Sequence, residues 1–262
     1  MPRLDASWFS ARYALAAARR ARLGGNRSWR WPDLAIADGG SPLPSFNQAT
    51  LLATLGPSLD RLDQRLASAF SESAASDFRL FSAWPTRDLT RIGLADPRPS
   101  VCMVREVGGP EPHLPPELTI QPVTTAADLD RFEAVLDASF RNQARSGAIF
   151  PAHVLADRSI RLWLGIVDGE PVGCSAAYLV SGAVGVDHVG TRPEARGRGY
   201  GTALAWQATQ ADATRPAFLE ASELGRPIYE RLGYRLIHEA VAWSGPTRRR
   251  RDLQAANRDP TP

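Results

Sequence analysis

Lysine is absent from this chain: all 31 basic residues are arginines, set against 28 acidic ones, for a net charge of +3 over 262 residues. So small an excess does not single out a polyanionic partner. The one basic run, Arg248 to Arg251, lacks the interleaved aromatics that would stack on bases, and its tail ending DPTP reads as a disordered end. Cysteine is nearly absent too. Cys102 and Cys174 are too few for a disulfide framework, and with four scattered histidines they form no metal-ligand spacing. No apolar stretch reaches the length of a membrane span. The arginine-bearing helix expected from Ala6 to Leu23 starts after Asp5, ends at Gly24-Gly25 and carries Trp8, Phe9, Tyr13 and Leu15 for packing. Without an apolar core or a cleavage-site pattern it is not a secretory signal, and a cytoplasmic location is expected.

What the chain does have is TRPEARGRGYG, from Thr191 to Gly201. Gly197, Gly199 and Gly201, with Arg196 and Arg198 between and before them, stand where a strand is expected to turn into a helix. Upstream, Ala183 to Val189 is small and β-branched, and Pro193 stops it. Downstream, Thr202 to Ala213 reads as a helix with Leu204 and Trp206 among alanines. Glycines here let the backbone close its N–H groups around an anion at the helix start, where the partial positive charge adds attraction. The pattern is neither the dinucleotide fingerprint, having no acidic residue at ribose distance, nor a P-loop, having no Gly-Lys-Ser/Thr.

The order Arg-x-x-Gly-x-Gly after a strand, at Arg196 to Gly201, resembles the acyl-CoA pyrophosphate loop of the GNAT superfamily of N-acetyltransferases. A second motif strengthens the likeness: AFLEAS at Ala217 to Ser222 is followed by ELGRPIYERLGY, ending at Tyr234. The resemblance spans Leu118 to Trp243. It implies an α/β (α+β) GNAT fold, a mixed, mostly antiparallel central sheet flanked by helices. It also implies acetyl-CoA as co-substrate, with no metal, and an amine acceptor attacked directly in a ternary complex.

By the same resemblance Tyr229 is the general acid, giving its phenolic proton to the departing thiolate. A protonated amine must also lose a proton. Relatives carry an acid on the strand before the loop, nine or eleven positions ahead of its arginine; here those places hold Asp187 and Gly185. Asp187 is the favoured base, and Glu220, sharing a strand face with Ser222, is the alternative. Strand alternation would put His188 opposite Asp187, packed on the far side of the sheet. The implied cofactor contacts are the backbone at Val189 and Thr191, which would hold the pantetheine arm and polarise the carbonyl, then Arg196, Gly197, Arg198, Gly199, Tyr200, Gly201 and Thr202, with Ser222. Arg196 and Arg198 would neutralise phosphates.

The length exceeds one such domain, which needs about 150 residues. GGPEPHLPP, residues 108–116, reads as a proline-rich linker. The expected division is a GNAT-like N-terminal half at 1–107, the linker, a catalytic half at 117–245, and a tail at 246–262. In the second half a strand from Leu118 to Val123 leads to a helix, Ala126 to Phe140. A loop from Gly147 to Pro151 rims the acceptor site, a hairpin turns at Asp168-Gly169, and Tyr234 to Trp243 closes the sheet. The first half repeats part of this order: a helix at Ser58 to Phe70, a strand at Phe78 to Trp84, a short helix, and a strand at Val101 to Val107. LTRIGL, Leu89 to Leu94, aligns with YERLGY, Tyr229 to Tyr234. Leu89 then stands in the tyrosine's place, and SFNQATLLATLGP lacks the arginine-glycine pattern, so this half is read as degenerate. Phe46 and Asn47 are expected beside a groove.

Three classes follow. The favoured one is an N-acetyltransferase acting on a small-molecule or peptide amine, as a monomer or homodimer. The second is a CoA-binding sensor without turnover, and the third is an arginine-driven nucleic-acid module. A GC-rich genome accounts for the missing lysine; freedom from self-modification by an amine-modifying enzyme is the sharper reading.

Overall fold

The computed structural model describes residues 3–25, 27–109, 111–140 and 149–247. The first half comprises α1 (Ala6–Ala21), β1 (Arg27–Arg30), β2 (Leu34–Asp38), β3 (Asn47–Leu51), α2 (Asp60–Phe70), β4 (Asp77–Ser82) and β5 (Ala95–Arg105). The second comprises β6 (Thr119–Pro122), α3 (Ala126–Phe140), β7 (Ile160–Val167), β8 (Glu170–Val180), β9 (Ala183–Thr191), α4 (Tyr200–Thr209), β10 (Ala217–Ala221), α5 (Arg226–Arg231) and β11 (Arg235–Pro246). Local chemistry accounts for several boundaries. The Asp5 side chain accepts the Trp8 N–H at 3.0 Å and caps α1. At the β7 to β8 turn, Asp168 and Gly169 both have positive φ, 51° and 83°, as a two-residue hairpin matched to strand twist requires.

Among the described residues eleven strands form one sheet in the order β1-β2-β3-β4-β11-β5-β10-β9-β8-β7-β6. Only β3 with β4 and β9 with β10 run parallel. Two corrections follow. The last strand does not close the sheet; it lies inside it, between β4 and β5. Moreover, β1 to β3 had not been anticipated, because each is only four or five residues long and β2 and β3 are buried on both faces, without alternation.

Strand order reads alike from either edge toward the centre. The penultimate strand of each half pairs with the last strand of the other: β4 with β11 and β10 with β5. The matched hexapeptides share a backbone pattern as well. Leu94 N–H reaches Leu89 O at 3.3 Å and Tyr234 N–H reaches Tyr229 O at 2.9 Å, with Gly93 and Gly233 left-handed at φ 77° and 82°. If Ala95 corresponds to Arg235, then β5 against β11 is self-consistent, since Ala95 faces Ser244 and Arg235 faces Val104.

Helices α1 and α3 pack on one face of the sheet around Phe9, Phe81, Phe132, Phe150, Tyr178 and Phe218. On the other face α4 and α5 cover Val186, Leu219 and Tyr234, while α2 covers Phe78, Leu80 and Trp243. Phe46 and Asn47 are wholly interior: Phe46 meets the rings of Phe150 and His188, and the Asn47 amide donates to three carbonyls. Of the expected acceptor rim, Ile149 and Phe150 are buried; Gly147, like Arg248 to Arg251, lies outside the described residues. Among the described residues no helix is long and apolar enough to cross a membrane.

Candidate active site

The site begins where the sheet splits. Parallel strands β9 and β10 pair only at Val184 with Ala217 and Gly185 with Phe218, then part. Past that point β9 bulges. Between the Gly190–Cys174 and Asp187–Ala176 pairs, Ser175 of β8 opposes both His188 and Val189, and His188 adopts φ 51°. The extra residue breaks the period of two and overturns the expectation that His188 faces away from Asp187. Its Nε2 lies 3.9 Å from Asp187 Oδ2, and its ring packs among Phe46, Phe150 and Tyr178. Burial pushes the His188 pKa down, so the imidazole is neutral at physiological pH, and Nε2 has no hydrogen-bond partner among the described residues.

Asp187 is already partnered. Its Oδ2 accepts from Arg20 Nη1 at 2.9 Å and its Oδ1 from the His188 N–H at 2.8 Å. Arg20 comes from α1, is 2% exposed, and also donates to Ser45 O and Gln48 Oε1 between the rings of Tyr13 and Tyr178. Sequence reasoning missed this arginine among the others of α1. A signal existed: Phe9, Tyr13, Ala16 and Arg20 follow helical spacing, so Arg20 continues the apolar stripe and had to be buried.

Glu220 is more fully engaged. Arg79 of β4 grips both carboxylate oxygens, Tyr13 donates to Oε2, and Ser100 of β5 donates to Oε1 at 2.6 Å. Burial would raise its pKa, but the Arg79 charge and these donors overcome that and hold the carboxyl down to about 2. This corrects the expectation of Glu220 as an alternative base. Its lone pairs are taken, and so acidic a carboxyl is a poor proton acceptor. A cavity of about 90 Å³ lies between the two carboxylates, lined by Tyr13, Arg20, Tyr178, Asp187, Phe218 and Glu220.

Across the split lies the glycine loop. Gly197 and Gly199 are left-handed, at φ 80° and 84°, and Gly199 is the N-cap of α4. No side chain caps that helix, and its first turn holds no acid, so its leading N–H groups are open to an anion. In the first half the matching helix differs: the first turn of α2 holds Asp60 and Asp63, and Ser58 Oγ takes the Asp60 N–H. Those carboxylates repel a phosphate.

Not every expected contact of the loop survives. Arg196 is exposed, and it donates to Thr191 O at 3.2 Å and Ser139 O at 2.8 Å, which ties the loop to β9 and α3. Tyr200 is buried with its hydroxyl on Glu117 at 2.9 Å, which leaves only its backbone for a ligand. The Ser222 hydroxyl accepts the Gly225 N–H at 3.1 Å and shapes the entry to α5. Arg198 is exposed on the loop, Gly201 lies against Thr191, Thr202 is half-buried in the first turn of α4, and Val189 and Thr191 are half-buried on β9 beyond the bulge.

Tyr229 projects from α5, edge-on to Tyr234 with ring centres 5.7 Å apart. Burial, and after it the charge of Asp187, raises its pKa above the ordinary phenol value. The phenol therefore keeps its proton. Both cysteines are buried thiols on separate strands, and among the described residues no cluster of acids, histidines and cysteines could hold a metal.

Residues 158–236 match the family described as "Acetyltransferase (GNAT) domain". No curated protein matches the chain. Among solved structures, a GCN5-related N-acetyltransferase from Kribbella flavida is 19% identical with a TM-score of 0.66, over 93% of this chain and 98% of that one. A Novosphingobium aromaticivorans protein described as belonging to the GNAT family is 17% identical, with a TM-score of 0.59 over 92% and 97%. A tandem GNAT protein from the clavulanic acid biosynthesis pathway is 14% identical, with a TM-score of 0.50 over 82% and 78%. At these identities the likeness concerns the fold.

Proposed function

A GNAT acetyltransferase domain occupies residues 158–236, and from that premise we propose that the protein is an acetyl-CoA-dependent N-acetyltransferase acting on a primary amine of a small molecule or peptide. The observation that carries this reading is the split between β9 and β10, with the uncapped, glycine-led N-terminus of α4 on one side and a protonated Tyr229 near it. Those helix N–H groups, with Arg198, suit a pyrophosphate, and the unpaired edge of β9 from Val186 to Thr191 suits the amides of a pantetheine arm. In the reaction the amine nitrogen bonds to the thioester carbon, the C–S bond breaks, and the sulfur takes the proton of Tyr229. Asp187 is the carboxylate in reach of the amine proton once Glu220 is set aside.

The chain as a whole we read as two GNAT-like halves, 1–107 and 117–245, joined by residues 108–116 and followed by a tail at 246–262. The exchanged last strands and the matching caps at Gly93 and Gly233 support this division. The acidic start of α2 supports a first half without cofactor chemistry. On this reading the working site is cytoplasmic, single and shared, because α1 of the first half supplies Arg20 to Asp187 of the second.

Calorimetry with acetyl-CoA and thiol release against a panel of amines test the reading. Gly199→Glu puts a side chain on a left-handed residue whose Cβ would already sit 3.3 Å from Pro115, and aims a carboxylate at the anion end of α4. Its acetyl-CoA affinity should fall at least about ten-fold, a change of 1.4 kcal/mol or more. Undiminished binding would put the donor elsewhere. The sensor reading gains one specific observation, the engagement of both carboxylates by arginines. Asp187→Asn separates the two. As a base its loss should lower kcat about 10²-fold with acetyl-CoA affinity kept; binding without release on any amine in the native protein would instead favour the sensor.

A further inference from the structure

The cavity between Asp187 and Glu220 lies in the split itself, because its floor comes from both parted strands, β9 at Gly185 and β10 at Phe218. A Cβ on Gly185 would sit 2.9 Å from Phe218 Cζ, so glycine lets that ring lie against β9 and close the floor. The first half supplies the opposing wall: Tyr13, Ala16 and Arg20 of α1, and Arg79 of β4. The three α1 residues follow at helical spacing, one face of a helix laid over β8 and β9. That helix roofs the two carboxylates. The space beneath it, about 90 Å³, is room for about six groups the size of a water molecule.

What can enter follows from which charges remain open. Asp187 gives one lone pair to Arg20 and one to the His188 N–H, keeps the others, and its side chain is 39% exposed, so it can accept an ammonium. Glu220 cannot accept a second one. Its lone pairs are filled twice by Arg79 and once each by Tyr13 and Ser100. Both Nη atoms of Arg79 are spent on those same partners, and Arg20 is 2% exposed, so neither arginine is open to a carboxylate. Resting on the acetyl-transfer reading, we propose that the acceptor is a short primary amine of about six heavy atoms whose only charge is the reacting ammonium. A second charge of either sign would be desolvated without a partner. A peptide amine is shut out as well, because its main chain would have to cross the space that α1 fills. Helix α1 is then the specificity element of the site, contributed by the half that lacks a glycine loop.

The test is thiol release from acetyl-CoA by the full chain with butylamine, aminobutanol, diaminobutane and aminobutanoate, amines of matched carbon chain, and with glycinamide against tetraglycine amide. Butylamine and aminobutanol should be turned over with kcat/KM at least about 100-fold above the two amines that carry a second charge, as an uncompensated charge demands. Glycinamide should exceed tetraglycine amide by a similar factor. Ala16→Leu, which places its added carbons in the cavity, should raise KM for butylamine at least about ten-fold with acetyl-CoA affinity unchanged. The amine series needs no variant, so it decides the matter if Ala16→Leu does not fold. Equal turnover of butylamine and diaminobutane, equal turnover of the two glycine amides, or an unchanged KM in folded Ala16→Leu would overturn the proposal and leave acetyl transfer standing. No thiol release with any amine, in a protein that binds acetyl-CoA, would overturn the proposal and favour the sensor.

Discussion

Replacing Tyr229 with Phe should lower kcat for thiol release at least about 10²-fold while leaving acetyl-CoA affinity unchanged, because the ring and its packing on Tyr234 stay and only the proton is lost. The magnitude is that of a general acid removed from a leaving group. Its pH dependence follows from burial. The Tyr229 pKa lies above the ordinary value of 10.0, so the acid stays competent as pH rises, and the alkaline limb of the native profile should fall above pH 10. A limb that stays in place in Tyr229→Phe, or a loss of less than a few-fold, would assign the proton to another group. Stopped-flow thiol detection on native and variant protein decides between them.

The largest stability effect is expected at Glu220. The isosteric Glu220→Gln leaves Arg79 without its counter-charge and should destabilise the fold by about 3 kcal/mol, at the lower end of the buried-pair range because a fifth of each side chain meets solvent. Replacing both partners, Arg79→Met with Glu220→Leu, should recover most of the loss, since an apolar pair has no charge to desolvate. Acid makes the same point. Glu220 has a folded pKa depressed from 4.5 to about 2, so it stabilises the fold fully above pH 4.5, and that contribution is lost as pH falls toward 2. Urea unfolding from pH 6 to pH 2 should therefore show a steeper acid decline in the native protein than in Glu220→Gln. Parallel declines would mean that the cluster does not set acid stability.

The consequence reaches function, because that cluster joins elements distant in sequence. Tyr13, Arg79 and Ser100 come from the first half and Glu220 from the second, as do Arg20 and Asp187. A carboxylate expected to move protons turned out to fasten the halves together. The residues Ala217 to Ser222 indicate the strand, which ends at Ala221, but nothing in that hexapeptide reports which side chains distant parts of the chain bring to it.

Features governed by near neighbours were legible in the chain. The hairpin at Asp168-Gly169, the helix Ala126–Phe140, the left-handed glycines before α4 and the cap at Gly233 follow from local backbone sterics and hydrogen bonds, and each lies where the residues indicate. The match of Leu89 to Leu94 with Tyr229 to Tyr234 belongs here too, since both caps close by the same local bonds. Three decisions were left to tertiary structure. The placement of β11 between β4 and β5 depends on strand pairing across the whole chain. The turn of His188 toward Asp187 depends on a bulge, a mismatch of register between two strands that neither strand encodes alone. And the pairing of Arg20 with Asp187 and of Arg79 with Glu220 arises because desolvated charges must find a counter-charge wherever the fold puts them, which is a property of three-dimensional proximity and not of sequence spacing.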